Sequence, residues 1–293
     1  MSTVISAKDL ESLLARNGSA ATLPADAVLT PEARDLLWNL ARRQPAPAPA
    51  PAPAAGAPLH SRSAPAQLEA FFHSPAALAL KEQICAAGHR LWQRAYVDGN
   101  GGNMAVRVGT DIALCTPTLV SKGSLQPADI CLVDFAGNQL LGAKRRTSEI
   151  LMHLQIMQRQ PKAVATCHCH PPHATAFALT GTTPPACLLP EYEIFCAVAV
   201  APYRTPGSPE MGRLVADLVD RHDTILMANH GVVSWSQNSI EEAYWRMEIV
   251  EAYCHTVAIA AQLARPLNNF TPPQMDELLK IKKTLGFVDP RLH

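Results

Sequence analysis

The stretch AVATCHCH, residues 163–170, decides how the rest of the chain is read. It reads as a strand, and along a strand successive side chains point to opposite faces. His168 and His170 therefore share one face, and Cys167 and Cys169 share the other. Two imidazoles side by side at a strand end form a candidate pair of metal ligands. A third histidine, His230, stands in ANHG directly after the strand-like TILMA (224–228), where Gly231 permits a sharp turn. Strand ends beside turns are where sheet proteins gather their sites. Three neutral imidazoles with a position left over match a catalytic zinc better than a closed structural one. Two plainer readings compete. The Cys167–His170 run could hold a structural zinc by itself, although alternation turns both cysteines the wrong way. His230 could be a satisfied core histidine.

Working outward, the pattern is mixed α and β. Ser74-Pro75 opens a helix running to about Arg94. Strand-like runs follow at MAVRV (104–108), IALC (112–115) and ICLVD (130–134), the last leading into a turn at Gly137-Asn138. A helix begins near Ser148 in SEILMHLQIMQRQ. Further strands are expected at 197–201, 224–228 and 232–235, and further helices at 208–220, 240–264 and 272–284. Hairpins together with strands separated by helices predict an α/β fold, a central mixed sheet covered by helices on both faces.

Before this region the composition changes. The run QPAPAPAPAPAAGAP, residues 44–58, favours extended polyproline geometry and reads as a semi-rigid spacer. At ~3.1 Å per residue it holds its two sides up to roughly 40 Å apart. Ahead of it, Ser6 can cap a helix carrying Leu10, Leu13 and Leu14. Thr30 precedes Pro31 in a second helix with Leu36, Leu37 and Leu40 on one face. So few large apolar groups bury little core alone, so the leader reads either as an inert tail or as a docking peptide completed by a partner. The expected division is a leader over 1–43, a Pro/Ala-rich linker over 44–66 and a main domain over 67–293.

Composition excludes several classes. Lysine plus arginine and aspartate plus glutamate number 25 each among 293 residues, and the pI is about 7.2. That balance leaves no positive excess for a phosphate polymer, so nucleic acid is not an expected partner. No run approaches the roughly 18 apolar residues of a membrane span, and the N-terminus lacks the zones of a signal peptide. The chain is expected in the cytoplasm, with its eight scattered cysteines reduced.

Two further segments carry weaker signals. Thr147-Ser148-Glu149 opens a helix, where hydroxyls cap backbone donors and a negative group such as phosphate is favoured. GNGGNMAVRV, 99–108, has glycines that let a backbone approach a ligand, but its spacing is not the dinucleotide pattern. The plain reading of each is a good helix start and a common turn. Cys115-Thr116-Pro117-Thr118 is weaker still.

The order of these segments is more informative than any one of them. GNGGNMAVRV, TPTLVSKGSL, RTSEILMHLQIM, HCHPPHATAFAL and ANHGVV in succession resemble the class II aldolase/adducin family across about 75–265. That family includes zinc-dependent L-fuculose-phosphate and L-rhamnulose-phosphate aldolases and L-ribulose-5-phosphate 4-epimerases. The resemblance implies a three-layer α/β/α fold with a largely antiparallel sheet. It implies one Zn2+ per subunit, held by His168, His170 and His230, with Glu149 as the acid/base beside it. It further implies a phosphate site from Gly102, Asn103, Thr118, Thr147 and Ser148, and a homotetramer. Leu119 departs from the family's T-P-T-G or T-P-S-G, which brings Lys122 into consideration as an anion ligand. Tyr192 is a candidate second proton donor. The implied reaction is reversible cleavage of a ketose 1-phosphate to dihydroxyacetone phosphate and L-lactaldehyde. Epimerisation, decarboxylation or dehydration by the same groups are the alternatives, followed by a non-catalytic binding module as in adducin or a scaffold component. VISAKDLESLL with LTPEARDLLWNLARR and the spacer resembles peptides that carry enzymes into bacterial microcompartments, which implies shell proteins as partners of residues 1–43.

Overall fold

A computed structural model describes residues 58–292 and, ahead of them, 4–6, 8–10, 12–13, 27–30 and 33. The chain divides into two units, 1–57 and 58–293. In the first, β1 (Val4–Ile5) and β2 (Val28–Leu29) pair in parallel, an arrangement that a helical leader did not anticipate. Parallel pairing needs a crossover of a dozen or more residues, and the intervening segment is long enough. Ser6 and Thr30 act as the expected caps. Asp9 N–H donates to Ser6 Oγ while Ser6 N–H donates to the Asp9 carboxylate, and Thr30 Oγ1 accepts from Ala33 N–H. Ile5, Leu10 and Ala33 form a small core. Leu14, Leu36, Leu37, Leu40 and spacer residues 44–57 lie outside the described residues.

In the second unit the strand expected at 163–170 forms as β7 (Ala165–Cys169), inside an eight-stranded sheet. Its companions are β3 (Asn103–Arg107), β4 (Ile112–Cys115), β5 (Cys131–Asp134), β6 (Gln139–Leu141), β8 (Val198–Ala201), β9 (Thr224–Met227) and β10 (Gly231–Ser236). The spatial order is β6-β5-β4-β3-β7-β10-β9-β8. Only β8 and β9 run parallel, and the other neighbours are antiparallel. The sheet is mixed and largely antiparallel, as expected.

Eight helices accompany it among the described residues: α1 (Pro65–Phe72), α2 (Pro75–Gln93), α3 (Ile150–Arg159), α4 (Pro172–Thr180), α5 (Pro190–Phe195), α6 (Pro209–Ala216), α7 (Ile240–Gln262) and α8 (Pro272–Thr284). Helix α2 starts because Ser74 accepts from Ala77 N–H and Pro75 occupies the first helical position. Ser239 and Ser208 do the same for α7 and α6. On one face of the sheet, Ile84 and Leu91 of α2 and Tyr244, Met247 and Val250 of α7 cover Met104, Leu114, Cys167 and Cys169. On the other, Met152 and Ile156 of α3 with Met211 and Val215 of α6 cover Ala105, Ala113, Val133 and Val233. Each such buried aliphatic side chain contributes roughly 1.5–3 kcal/mol. The three layers follow from this alternation. All eight cysteines are free thiols.

Three helices were not anticipated. PHATAFALT in α4 intersperses His173, Thr175 and Thr180 among apolar residues and begins on Pro172 directly after Pro171, so it shows no helical stripe. Helix α5 is one short turn and a half. Helix α1 begins at Pro65, before the expected boundary at 67. The chain is already anchored from Leu59: Thr110 N–H donates to Leu59 O, and Ser61 N–H and Oγ both donate to Asp111. No helix of the described residues is long and apolar enough to cross a membrane.

Candidate metal centre at the strand ends

Register decides which side chains meet. In the sheet Asn103 lies directly opposite His168 on one side, and Val233 lies opposite it on the other. Because alternation sends Cys167 and Cys169 into the α2/α7 layer, His168 projects toward the α3 layer. Helix α3 begins there with Glu149 at its cap position. His170 follows the end of β7, and His230 occupies the turn joining β9 to β10. The ligand nitrogens of His168, His170 and His230 all lie within 4.8 Å of one another.

The glycine of ANHG is required by this convergence. A Cβ on Gly231 would stand 2.6 Å from His170 Cδ2 and 2.7 Å from Cys169 O, so any side chain would displace the His170 ring. Gly102 has φ +72°, and its Cβ would meet Val97 at 2.6 Å and His168 O at 2.9 Å. Its smallness serves packing against β7 as much as any approach to a ligand.

The tautomer of His168 follows from its contacts. Nδ1 lies 2.8 Å from Val232 O, an acceptor, so Nδ1 carries the hydrogen and Nε2 the lone pair. That lone pair faces His170 Nε2 at 3.1 Å and Glu149 Oε2 at 3.3 Å. Glu149 Oε1 lies 3.3 Å from His230 Nε2. Burial, followed by the nearby His168 ring, pushes the His170 and His230 imidazoles down to about 4, which leaves them neutral. Burial alone would raise the Glu149 carboxyl, whereas the Asn103 amide donating to Oε2 acts against it and favours the ionised form.

Neutral nitrogens and a carboxylate thus converge with too few protons to separate them. A cation resolves that repulsion. Two nitrogens at ~2.05 Å from a tetrahedral ion stand ~3.3 Å apart, close to the spacing of His168 and His170. His170 Nδ1 is turned toward Asp98 Oδ1 at 3.9 Å, leaving Nε2 for the centre. The residues present fit a divalent cation that accepts imidazole ligands.

Around this centre the other expected residues take different places. Asn103 is buried and its Nδ2 donates to Glu149 Oε2 at 2.6 Å. Thr147 is buried, its Oγ1 accepting from Glu149 N–H at 3.3 Å, whereas Ser148 is exposed. The 116–119 segment lies beside 145–147: Thr118 N–H donates to Arg145 O and Thr147 N–H to Thr116 O. Leu119 keeps a left-handed backbone, φ 58°, and exposes 79% of its surface. The conformation for which glycine is suited is therefore present although glycine is not. Lys122 is fully buried, and its ammonium donates to Val120 O at 2.7 Å and Asn100 O at 3.3 Å. It ties the glycine-rich loop to the 116–120 loop, and burial pushes its pKa down to about 8. Tyr192 stacks on Tyr253, centroids 3.8 Å apart, in the α2/α7 layer, where it lines a groove of about 380 Å³ with Arg94 and Trp245. That layer is not the one the histidines face.

One buried group escaped the sequence reading. His153 lies four residues after Glu149 on α3, with Nε2 2.5 Å from Asn103 Oδ1 and Nδ1 2.7 Å from Thr166 Oγ1. The spacing in EILMH places it on the same helix face as Glu149, the only signal that could have pointed to it. Burial pushes its pKa down to about 3.

Residues 82–258 match the family model described as the Class II Aldolase and Adducin N-terminal domain. An L-fuculose phosphate aldolase of Methanococcus maripaludis (strain C7) is 37% identical over 170 residues, 58% of this chain and 89% of that protein. A 3-oxo-tetronate 4-phosphate decarboxylase of Haemophilus influenzae is 29% identical over 171 residues, 57% of this chain and 81% of that protein. Among solved structures, Escherichia coli YgbL, given as a candidate aldolase/epimerase/decarboxylase, superposes with a TM-score of 0.64 at 26% identity, covering 69% of this chain and 98% of that one.

Proposed function

The chain belongs to the class II aldolase and adducin family, and from that premise we propose that it is a zinc-dependent aldolase. Its substrate in the cleavage direction would be L-fuculose 1-phosphate or L-rhamnulose 1-phosphate, giving dihydroxyacetone phosphate and L-lactaldehyde. The observation that carries this reading is the approach of Glu149 to within 3.3 Å of both His168 Nε2 and His230 Nε2. A carboxylate beside the three imidazoles would be in reach of the acidic C–H of a substrate held there.

When bound, zinc would supply Lewis-acid stabilisation of negative charge on a substrate oxygen. His168, His170 and His230 would hold it. In the direction of synthesis, ionised Glu149 takes the C3 proton of dihydroxyacetone phosphate. The electron pair left on C3 then forms the bond to the aldehyde carbon, and the aldehyde oxygen gains a proton. Cleavage runs the same steps backward. The 116–119 backbone, Thr147, Ser148, Gly102 and Asn103 would position the phosphate, so that C3 meets Glu149 in one orientation. Lys122 would act beneath these loops, as a buried cation joining them. Tyr192, on the other layer, would serve as a proton donor only in a neighbouring subunit's site. A homotetramer is part of this proposal, supported by exposed Leu179, Ile259 and Leu263, and sedimentation or light scattering would test it.

A second reading is decarboxylation of a 3-oxo sugar-acid phosphate, which needs the same charge stabilisation. The likeness to the Haemophilus decarboxylase favours it, as does Leu119 at a position where fuculose-type aldolases carry glycine. The deciding experiment measures dihydroxyacetone phosphate released from L-fuculose 1-phosphate and L-rhamnulose 1-phosphate, with zinc and with chelator. Zinc-dependent release is expected. Zinc-loaded protein that releases none, but evolves CO2 from 3-oxo-tetronate 4-phosphate, would replace the aldolase with the decarboxylase.

For the leader we propose a docking role, with microcompartment shell proteins as the partner implied by its sequence. Its own small core and the spacer that follows support the idea. A fluorescent protein carrying residues 1–58 should form puncta in cells making shells, and a diffuse signal would end the proposal.

A further inference from the structure

Four buried side chains from three elements form one continuous hydrogen-bonded row. Thr166 comes from β7, His153 from α3, Asn103 from β3, and Glu149 stands at the cap of α3. The separations are 2.7, 2.5 and 2.6 Å in that order. Thr166 and His153 are inaccessible to solvent and Asn103 nearly so.

The direction of every bond in the row can be deduced from its end. An ionised carboxylate only accepts, so Asn103 must present its Nδ2 hydrogens to Glu149 Oε2. Its Oδ1 therefore faces His153 Nε2, and a carbonyl oxygen only accepts, so Nε2 carries the hydrogen. A neutral imidazole protonated at Nε2 has a bare Nδ1, which must accept from the Thr166 hydroxyl. The Asn103 amide is thus held at both ends, Nδ2 by the Glu149 carboxylate and Oδ1 by His153 Nε2–H, and without His153 only the Glu149 end would hold it. The flipped amide would place Oδ1 against Oε2, acceptor against acceptor.

The two oxygens of Glu149 are consequently unequal. Oε2 is held by Asn103, whereas Oε1 is fully buried with no hydrogen-bond partner, its near neighbour being His230 Nε2. An unpartnered buried carboxylate oxygen is costly and needs a use. We infer that His153 is a positioning residue that, through Asn103, clamps Glu149 Oε2 and so leaves Oε1 as the oxygen that carries the C3 proton. The inference rests on Glu149 being the acid/base, but the clamp itself is measurable without turnover.

Full-length protein labelled with 15N-histidine would report the His153 tautomer by long-range 1H–15N correlation. The expected result is a neutral ring with hydrogen on Nε2. His153→Leu removes the donor, and His153→Gln keeps an N–H that can reach Asn103 Oδ1. In zinc-loaded enzyme, His153→Leu should lower kcat by ~10- to 100-fold with KM within about two-fold. His153→Gln should recover most of that loss, and zinc content should match wild type in both. A ring protonated at Nδ1, an unchanged kcat in His153→Leu, or a loss of rate that only tracks loss of zinc would each overturn the proposal. Should wild type turn over no sugar phosphate, the role of Glu149 fails. The tautomer, with the shift of the Asn103 side-chain amide in His153→Leu, would then still decide the clamp.

Discussion

Two buried polar clusters in the main unit invite comparison, because they are built from similar groups to opposite ends. Near the C-terminus, Lys282 spends its three ammonium hydrogens on Glu193 O, Cys196 O and Asp289 Oδ2. Arg291 grips Asp289 with two parallel bonds and reaches Glu193 Oε2, while Glu193 Oε1 accepts from Cys187 N–H. Two cations meet two anions and the donors find acceptors. At the strand ends, by contrast, imidazole lone pairs and a carboxylate face one another across 3.1–3.3 Å, with Glu149 Oε1 and His230 Nδ1 lacking partners. A polar cluster that closes on itself holds the fold together, whereas one left short of positive charge is built to receive something.

The sharpest way to break this contrast is His168→Ala. Its ring is oriented by Val232 O and faces both His170 and Glu149, so its loss should release bound zinc and lower kcat/KM by ~10³-fold or more. Zinc content by plasma emission, measured beside an assay of dihydroxyacetone phosphate, checks it. Retained zinc with full activity would mean that the cluster is not the metal site. Next in size is Glu149→Gln, which keeps the shape but cannot take a proton. Here zinc should remain while kcat falls by ~10²–10⁴-fold. Exchange of the C3 proton of dihydroxyacetone phosphate with deuterated water should stop with it. Exchange at the wild-type rate would remove Glu149 from the reaction.

The same contrast explains what could be read from sequence. His168 and His170 were legible because alternation along one strand fixes their common face, and His230 because a glycine follows it at a strand end. Glu149, Thr147 and Asn103 were legible as members of an ordered series of motifs, and the central sheet from its apolar runs. His153 was not, because its meaning depends on Asn103 and Thr166, fifty and thirteen residues away. On its own helix it looks like any buried histidine. Lys122 read as a candidate anion ligand, since nothing local shows that Val120 O and Asn100 O will surround it. The closed cluster was invisible for the same reason: Glu193 and Arg291 lie 98 residues apart. Helix α4 was missed because its polar residues, His173, Thr175 and Thr180, fall around it with no helical period.

The closed cluster supplies the complementary test. Lys282→Met leaves the Glu193 and Cys196 carbonyls buried without the Lys282 donor and Asp289 with Arg291 alone, and a loss of ~1–3 kcal/mol in unfolding free energy for each carbonyl is expected. Zinc content and kcat of the protein that remains folded should match wild type. A loss of zinc in this variant, with stability unchanged, would show that the two clusters are not separate in function.

The smallest effect separates them by pH. Burial alone would raise the Asp289 carboxyl, but Arg291 and Lys282 outweigh it and bring it down to about 2. In the unfolded chain an aspartate titrates near ~3.9. A group whose pKa is lower in the folded state stabilises fully above its unfolded value and loses that contribution as pH falls through its folded value. Asp289 should therefore contribute ~2.6 kcal/mol that is fully present above about pH 5 and lost progressively as pH falls through about 2. Buried neutral histidines act in a different window. His170 and His230, held to about 4 in the metal-free protein, favour unfolding as pH falls from ~6.5. Denaturant titrations of metal-free protein from pH 7 to 2 should thus show two losses of stability, the upper from the histidines of the open centre and the lower from Asp289 together with Glu149. Asp289→Asn should reduce only the lower one. If it flattened the upper instead, the assignment of charge to the two clusters would be reversed.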